Sequence, residues 1–250
     1  MKSPKGIIPV LILFLGFVLI FIKLGDRKLW VDECVSAYLS NNVIKYGYPS
    51  VYDGAYYKSV ANGNDSNSDG VEAWYSWLTI YLQGIFRYLF GTSEFVTRLP
   101  TAILGWLSML YLFLGIKKLT ENEFIQNLTL AIYVFSIPLL IYMRSAHYYS
   151  AVLCFTTMSL FYYLSLIERP EKKVNTIMFA LSLTLLFHSN YFLFIIPTTS
   201  YLVHAAIVAR KKTVWIKILI AYTATFLLTT PWFLYIGMTT QGTKWEFYWA

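Results

Sequence analysis

The apolar residues of this chain fall in long unbroken runs, without the strict alternation of a half-buried strand. From Gly6 to Ile22 no charged residue interrupts the run, and the first charge is Lys23. A run of about 18 or more apolar residues can cross a hydrocarbon core of roughly 30 Å as a helix. Further runs of this kind are centred on 99–116, 124–142, 149–167, 174–188, 191–209 and 214–236. Continuous apolar runs mean helices, since the backbone in lipid must satisfy itself. The pattern predicts an all-α polytopic membrane protein with seven spans. The stretch 174–209 is slightly short for two full spans and a turn, so one helix is expected to stop short and leave His188, Ser189 and Asn190 below the membrane surface.

Between the first and second runs lies a polar region, residues 25–98, with two helical patterns of its own. Over 32–46, Val35, Tyr38, Leu39 and Val43 recur at helical spacing, with Asp32 as an N-cap and Gly47 as the stop. Over 73–90, Trp74, Trp77, Leu78, Tyr81, Ile85 and Leu89 form a wide apolar and aromatic face ended by Gly91. Both segments read as interfacial helices lying on the membrane surface. Between them, Asn62 to Gly70 is polar and turn-rich.

The first span resembles a signal peptide only in its basic start, Lys2 and Lys5. Its apolar stretch is too long, and Lys23 to Lys28 holds no small-x-small cleavage site, so it reads as a retained anchor. The chain of 250 residues is 57% hydrophobic and 13% charged, whereas a soluble domain carries about a quarter charged residues. The net charge of +7 does not point to nucleic acid, because the basic residues flank the spans. Lys2 and Lys5, Lys117 and Lys118, Arg169 with Lys172 and Lys173, and Arg210 to Lys212 all fall at one set of helix ends. Basic residues in short loops mark the cytoplasmic side. The N-terminus is therefore expected in the cytoplasm, with the 25–98 loop and the C-terminus on the other side. That makes a multi-pass protein of the cell membrane, or of the endoplasmic reticulum membrane in a eukaryote. Cys34 and Cys154 fall in a loop and a span, so neither a disulfide nor a metal cluster is expected.

Candidate chemistry centres on Asp32-Glu33, at a helix start next to Trp30. A carboxylate there could take a proton from a hydroxyl, but an N-cap Asp and a first-turn Glu also suit a helix dipole. Arg144 stands on the side that otherwise avoids basic residues. It could clamp a phosphate or snorkel to the interface, and Arg98 has the same two readings. His147, Tyr148 and Tyr149 could line the same cavity. His188 is an ionisable group near membrane depth, or a helix-end histidine at the interface. Asp65 to Gly70 matches the first half of a calcium loop but has Ser76 where the closing acid belongs, so it reads equally as a polar turn. Asn64-Asp65-Ser66 is a glycosylation sequon. The chain has no Walker motif, His-Glu-x-x-His or serine nucleophile elbow.

The order of these features resembles the membrane glycosyltransferases that use polyprenyl-phosphate sugars, the protein O-mannosyltransferase and lipid A aminoarabinose transferase group with the C-type glycosyltransferase (GT-C) fold. The pieces are Trp30-Val31-Asp32-Glu33, Tyr46-Gly47-Tyr48-Pro49, the stretch from Phe90 to Pro100, the stretch from Arg144 to Ser150, and His188. The resemblance implies a GT-C-like helix bundle in which Asp32 is the catalytic base and Glu33 its acidic neighbour. It implies that Arg144, Lys58 and Arg98 hold the donor phosphate, with His147, Tyr148 and His188 lining the cavity. The reaction would be inverting transfer to a hydroxyl of a protein, lipid or glycan acceptor on the extracytoplasmic face. Membrane lipids and a polyprenyl-phosphate-linked sugar are the implied partners. No cofactor is fixed by the resemblance, and a divalent cation is compatible with it. Several relatives carry a Lys-Pro-Pro segment where this chain has Lys58-Ser59, and some carry an Asp where Tyr148-Tyr149-Ser150 stands. Relatives are also longer, so the chain is expected to be one transmembrane domain equivalent to the N-terminal part of a GT-C module. The competing reading is a non-catalytic scaffold or lipid-linked-sugar carrier subunit. A transporter is disfavoured, because no span carries paired charges or a Gly/Pro-broken helix.

Overall fold

The computed structural model describes residues 6–58, 65–67 and 69–236. Ten helices follow in order among them: α1 (Ile7–Phe21), α2 (Val31–Tyr46), α3 (Leu78–Phe90), α4 (Glu94–Leu119), α5 (Glu123–Phe135), α6 (Ile137–Arg144), α7 (Tyr149–Glu168), α8 (Lys173–Ser189), α9 (Tyr191–Val208) and α10 (Lys212–Tyr235). Every expected span is helical. Four of them, α4, α7, α9 and α10, are long and apolar enough to cross a membrane alone, and α5 with α6 makes a fifth if the bent pair is one span. α1 and α8, at 15 and 17 residues, are shorter. Asn190 separates α8 from α9 as a single residue and accepts from the Leu193 amide, capping α9. The chain is a multi-pass helical membrane protein.

Three boundaries differ from the sequence expectation. α4 begins at Glu94 instead of residue 99, because the Ser93 hydroxyl caps it by accepting from the Val96 amide at 3.3 Å, and Glu94 favours the positive helix end. Pro100 therefore lies inside a helix instead of in its first turn. The expected single span over 124–142 is broken at Ser136 and bent by 59°. Pro138 accounts for this, correcting the expectation that no span carries a Pro-broken helix: its ring would clash with the carbonyl of Val134 in a continuous helix. The helix expected over 73–90 starts at Leu78, since Glu72 bends the preceding chain into a turn, accepting from the amides of Trp74 and Tyr75 at 2.7 and 3.1 Å.

Two buried apolar clusters hold the bundle. Ile20, Ala102, Met109, Leu130, Val134 and Met143 join α1, α4, α5 and α6. Tyr163, Phe179, Leu183, Tyr201 and Ile218 join α7 to α10. A smaller cluster of Val35, Leu39, Val51 and Ile80 packs α2 on α3, as the apolar face of 32–46 predicts. Ile85, Tyr88, Leu89 and Phe90 on α3 stay exposed, the apolar face that a helix at a lipid boundary presents. The link from α2 to α3 has no strand among the described residues, only three isolated antiparallel bridges. Gly47 ends α2 in the left-handed conformation at φ 83°, which glycine adopts without strain.

At Gly105 α4 approaches α6 closely: a Cβ there would lie 2.7 Å from Met143 Cβ and 3.2 Å from its Cα. Gly105→Ala is expected to destabilise the bundle by about 1–3 kcal/mol, read as a lower melting temperature in detergent. Gly115→Ala, whose nearest neighbour would be Leu160 Cδ2 at 3.8 Å, is the control expected to be tolerated.

Candidate functional site

The first turn of α2 sets the geometry. Trp30 precedes the helix as its N-cap in extended conformation, so Asp32 is the second helical residue, not the cap expected from the sequence. Glu33 reaches back, and its Oε2 accepts from the Trp30 amide at 3.1 Å. The same carboxylate is buried against Arg98 of α4. Arg98 Nε donates to Oε1 at 2.8 Å and Nη2 to Oε2 at 2.7 Å, with side chains 1% and 8% exposed. The Ala146 amide, between α6 and α7, also donates to Oε1 at 2.7 Å. The other donors of Arg98 go to backbone carbonyls of the α1–α2 link: Nη1 to Leu24 and Arg27, Nη2 to Lys28. All five guanidinium hydrogens and about four carboxylate lone pairs are thus occupied.

Asp32 is different. It is half-buried, and among the described residues nothing donates a hydrogen bond to its carboxylate. Its charge acts on Tyr75, His147, Tyr148 and Tyr149. Those four rings pack together: His147 lies 5.3 Å from Tyr75, 4.4 Å from Tyr148 and 5.1 Å from Tyr149 between centroids. Burial and the Asp32 carboxylate both push the Tyr75 phenol up. Burial holds His147 down at about 4, against the pull of Asp32 and Glu33, so its ring is neutral at ordinary pH.

Beside this cluster is a cavity of about 810 Å³, walled by the α1–α2 link and the end of α6. Glu33, Arg98 and Arg144 all line it, as do Lys23, Arg27 and Lys28; Asp32 is not in its wall. Tyr142 connects the two regions, lining the cavity and packing 4.4 Å from Tyr149. Arg144 donates to the carbonyls of Leu19, Ile22 and Lys23, capping the exit of α1. That leaves Nε and one Nη1 hydrogen without a partner among the described residues. Lys28 pairs with Glu94 at 2.8 Å, whereas Lys23 and Arg27 have no carboxylate partner there.

The structure does not bring two other candidates to Asp32. Lys58 lies over the Tyr38 ring at 4.9 Å, and burial lowers its pKa. Tyr38 is on the opposite face of α2 from Asp32 and Ser36, given about 3.6 residues per turn. His188 packs edge-on against Phe187 and Trp232 in the last turn of α8. Asn67 organises the polar loop, its Oδ1 accepting from the amides of Asp69 and Val71 at 3.0 Å each. Asn64 of the sequon lies outside the described residues, and no group of three metal-binding side chains occurs among those described.

A family profile of dolichyl-phosphate-mannose-protein mannosyltransferases matches residues 76–245, more than half the chain. The chain belongs to this family. The matched segment of this mannosyltransferase-family chain starts just before α3, so Arg98 and His147 fall inside it and Asp32 before it. The solved structures it resembles extend further. Crystal structures of ArnT from Cupriavidus metallidurans superpose with a TM-score of 0.65, in the apo state at 14% identity over 92% of this chain, and bound to undecaprenyl phosphate at 15% identity over 95%. The fold is therefore that of ArnT, a GT-C fold, and the chain spans 42% of the ArnT chain. No curated protein sequence matches it significantly.

Reading the residues alone missed Ser36, Tyr75, Glu72 and Arg87. Arg87 of α3 is buried and donates to the Asn41 Oδ1 at 3.0 and 3.2 Å and to the Thr97 hydroxyl, tying α2, α3 and α4 together. Nothing in its sequence context marks it. Ser36 had a signal, its spacing of four from Asp32.

Two predictions follow from these buried charges. Glu33→Ala or Arg98→Ala strands one buried charge and is expected to cost about 3–5 kcal/mol, while Glu33→Met with Arg98→Met costs less than the two losses summed, read by thermal unfolding. Glu72, buried beside Asp65, has its pKa raised to about 8 by burial. A raised folded-state value means stability is fully present below the unfolded value near 4.5 and is lost as pH rises through about 8. Glu72→Gln is expected to remove that decline, gaining on the wild type between pH 5 and pH 8.

Proposed function

We propose that this chain carries the catalytic part of a membrane glycosyltransferase, transferring a sugar from a polyprenyl-phosphate donor to an acceptor hydroxyl at the extracytoplasmic face with inversion. The observation that carries the proposal is the contrast between two adjacent carboxylates. Glu33 is spent on Arg98, Trp30 and Ala146, while Asp32, one residue earlier on the same turn, has no hydrogen bond to its carboxylate among the described residues. A base needs a free lone pair within reach of the acceptor, and only Asp32 offers one.

In the proposed reaction the acceptor oxygen bonds to the anomeric carbon and its proton passes to an Asp32 oxygen. The bond from the anomeric carbon to the phosphate oxygen breaks, and polyprenyl phosphate leaves with the electron pair. Membership of the mannosyltransferase family and the ArnT-like fold support this class of donor. Undecaprenyl phosphate is bound in one of the similar ArnT structures. The departing phosphate needs fixed positive charge. The basic cavity beside the site supports Arg144, with Lys23 and Arg27, for that role. Arg98 has no donor to spare, and Lys58 sits on the other face of α2. Basic residues at the opposite helix ends support an N-terminus in the cytoplasm.

Asp32→Asn keeps the shape of the side chain and disturbs no observed hydrogen bond. In host membranes supplied with a labelled polyprenyl-phosphate sugar, it is expected to slow transfer by about 10²–10⁴. Undiminished release of polyprenyl phosphate would overturn the assignment, and would fit a carrier or scaffold subunit instead.

A further inference from the structure

Ser36 stands one turn beyond Asp32 on the same face of α2. Hydroxyls inside helices commonly bond a carbonyl three or four residues back. Ser40, Ser159 and Ser182 do so here. Ser36 instead meets a residue far away in the chain: its Oγ lies 3.0 Å from Nδ1 of His147, with both side chains buried. The imidazole is neutral, so it has one N–H and one bare nitrogen. The 3.0 Å contact is compatible with the hydroxyl as donor or as acceptor, and in the donor direction the ring proton lies on Nε2. Among the described residues nothing bonds Nε2, and the rings of Tyr75, Tyr148 and Tyr149 fix the plane of the imidazole beside Asp32.

We propose that Ser36 sets the tautomer of His147, and that the Nε2–H so fixed binds the acceptor hydroxyl opposite Asp32. The role rests on the transferase reading above. An attacking hydroxyl must offer its proton to the base and a lone pair to the anomeric carbon. Its oxygen has two lone pairs. An N–H that takes one of them leaves the other for carbon and turns the O–H toward the carboxylate. Holding reacting groups in that alignment lowers the barrier to reaction. His147 is then an orienting residue, and Ser36 acts through it.

Two isosteres separate this role from a structural strap. Asn at 147 places its amide nitrogen where Nδ1 was, and Gln places its own where Nε2 was. With the full chain in membranes, His147→Gln is expected to keep the acceptor KM near the wild-type value. His147→Asn is expected to lose about tenfold in kcat/KM for the acceptor, the scale of one hydrogen bond, with the donor KM unchanged. Equal rates for the two variants, or an active Asn variant beside an inactive Gln variant, would overturn the proposal. Nitrogen-15 shifts of the histidine rings read the tautomer without turnover: the proton is expected on Nε2 in the wild type and shared between both nitrogens in Ser36→Ala. A wild-type ring protonated on Nδ1 refutes the inference whatever the activity. A wild type with the expected tautomer but no transfer refutes the transferase reading, and with it the acceptor role of His147.

Discussion

A buried ion pair between Glu33 and Arg98 organises the end of the bundle where the site lies. Such a pair is tolerable only when nearly every donor and acceptor is used, because desolvation of the two charges is expensive. Here the hydrogen-bond count closes: Arg98 serves Glu33 and three carbonyls, and Glu33 serves Arg98 and two amides. The acceptors and donors come from the α1–α2 link, the first turn of α2 and the α6–α7 turn. One interaction thereby ties α4 to the start of α2 with the link before it, and to the α6–α7 turn, adding a polar tie to the apolar packing of Leu24, Ala102 and Met143 nearby.

The consequence for chemistry is a division between neighbours. Asp32 and Glu33 are adjacent and chemically alike, yet successive helical residues point about 100° apart. One carboxylate turns into the protein and becomes structural. The other acts electrostatically on Tyr75, His147, Tyr148 and Tyr149 and has no hydrogen-bond donor among the described residues. Different environments giving two carboxylates different roles is a general device. In this chain the device needs only a helix start, because Trp30 and Glu33 together fix the rotation of α2 about its axis.

Much of the fold is legible in the sequence. The runs of apolar residues mark every long helix, and Gly47 and Gly91 mark the ends of α2 and α3. The misplaced boundaries have local causes: a Ser93 cap, a Glu72 turn and the Pro138 break, each outweighing hydropathy over a few residues. The site was legible only in part. Asp32-Glu33 stands out as a pair, but spacing cannot say which carboxylate is spent, since Arg98 and Ala146 lie far along the chain. Tyr75 is an ordinary residue in its own segment, and Ser36 carries only its spacing from Asp32; both gain meaning from His147, which reaches them across the fold.

The arginines show why sequence position alone misleads in such a protein. Arg98 and Arg144 both read as possible anion binders, yet they, like the unmarked Arg87, spend donors on neutral oxygens: backbone carbonyls for the first two, Asn41 and Thr97 for the third. In a low-dielectric bundle, helix ends expose carbonyls that water does not reach, and a five-donor guanidinium is the side chain best able to serve several at once. What separates a structural arginine from a ligand-binding one is the number of hydrogens left over. Arg98 has none, whereas Arg144 has two beside a cavity that also carries Lys23 and Arg27. The same carbonyls that restrain Arg144 also hold its remaining N–H groups in place, so capping α1 is compatible with the anion-binding role proposed for it.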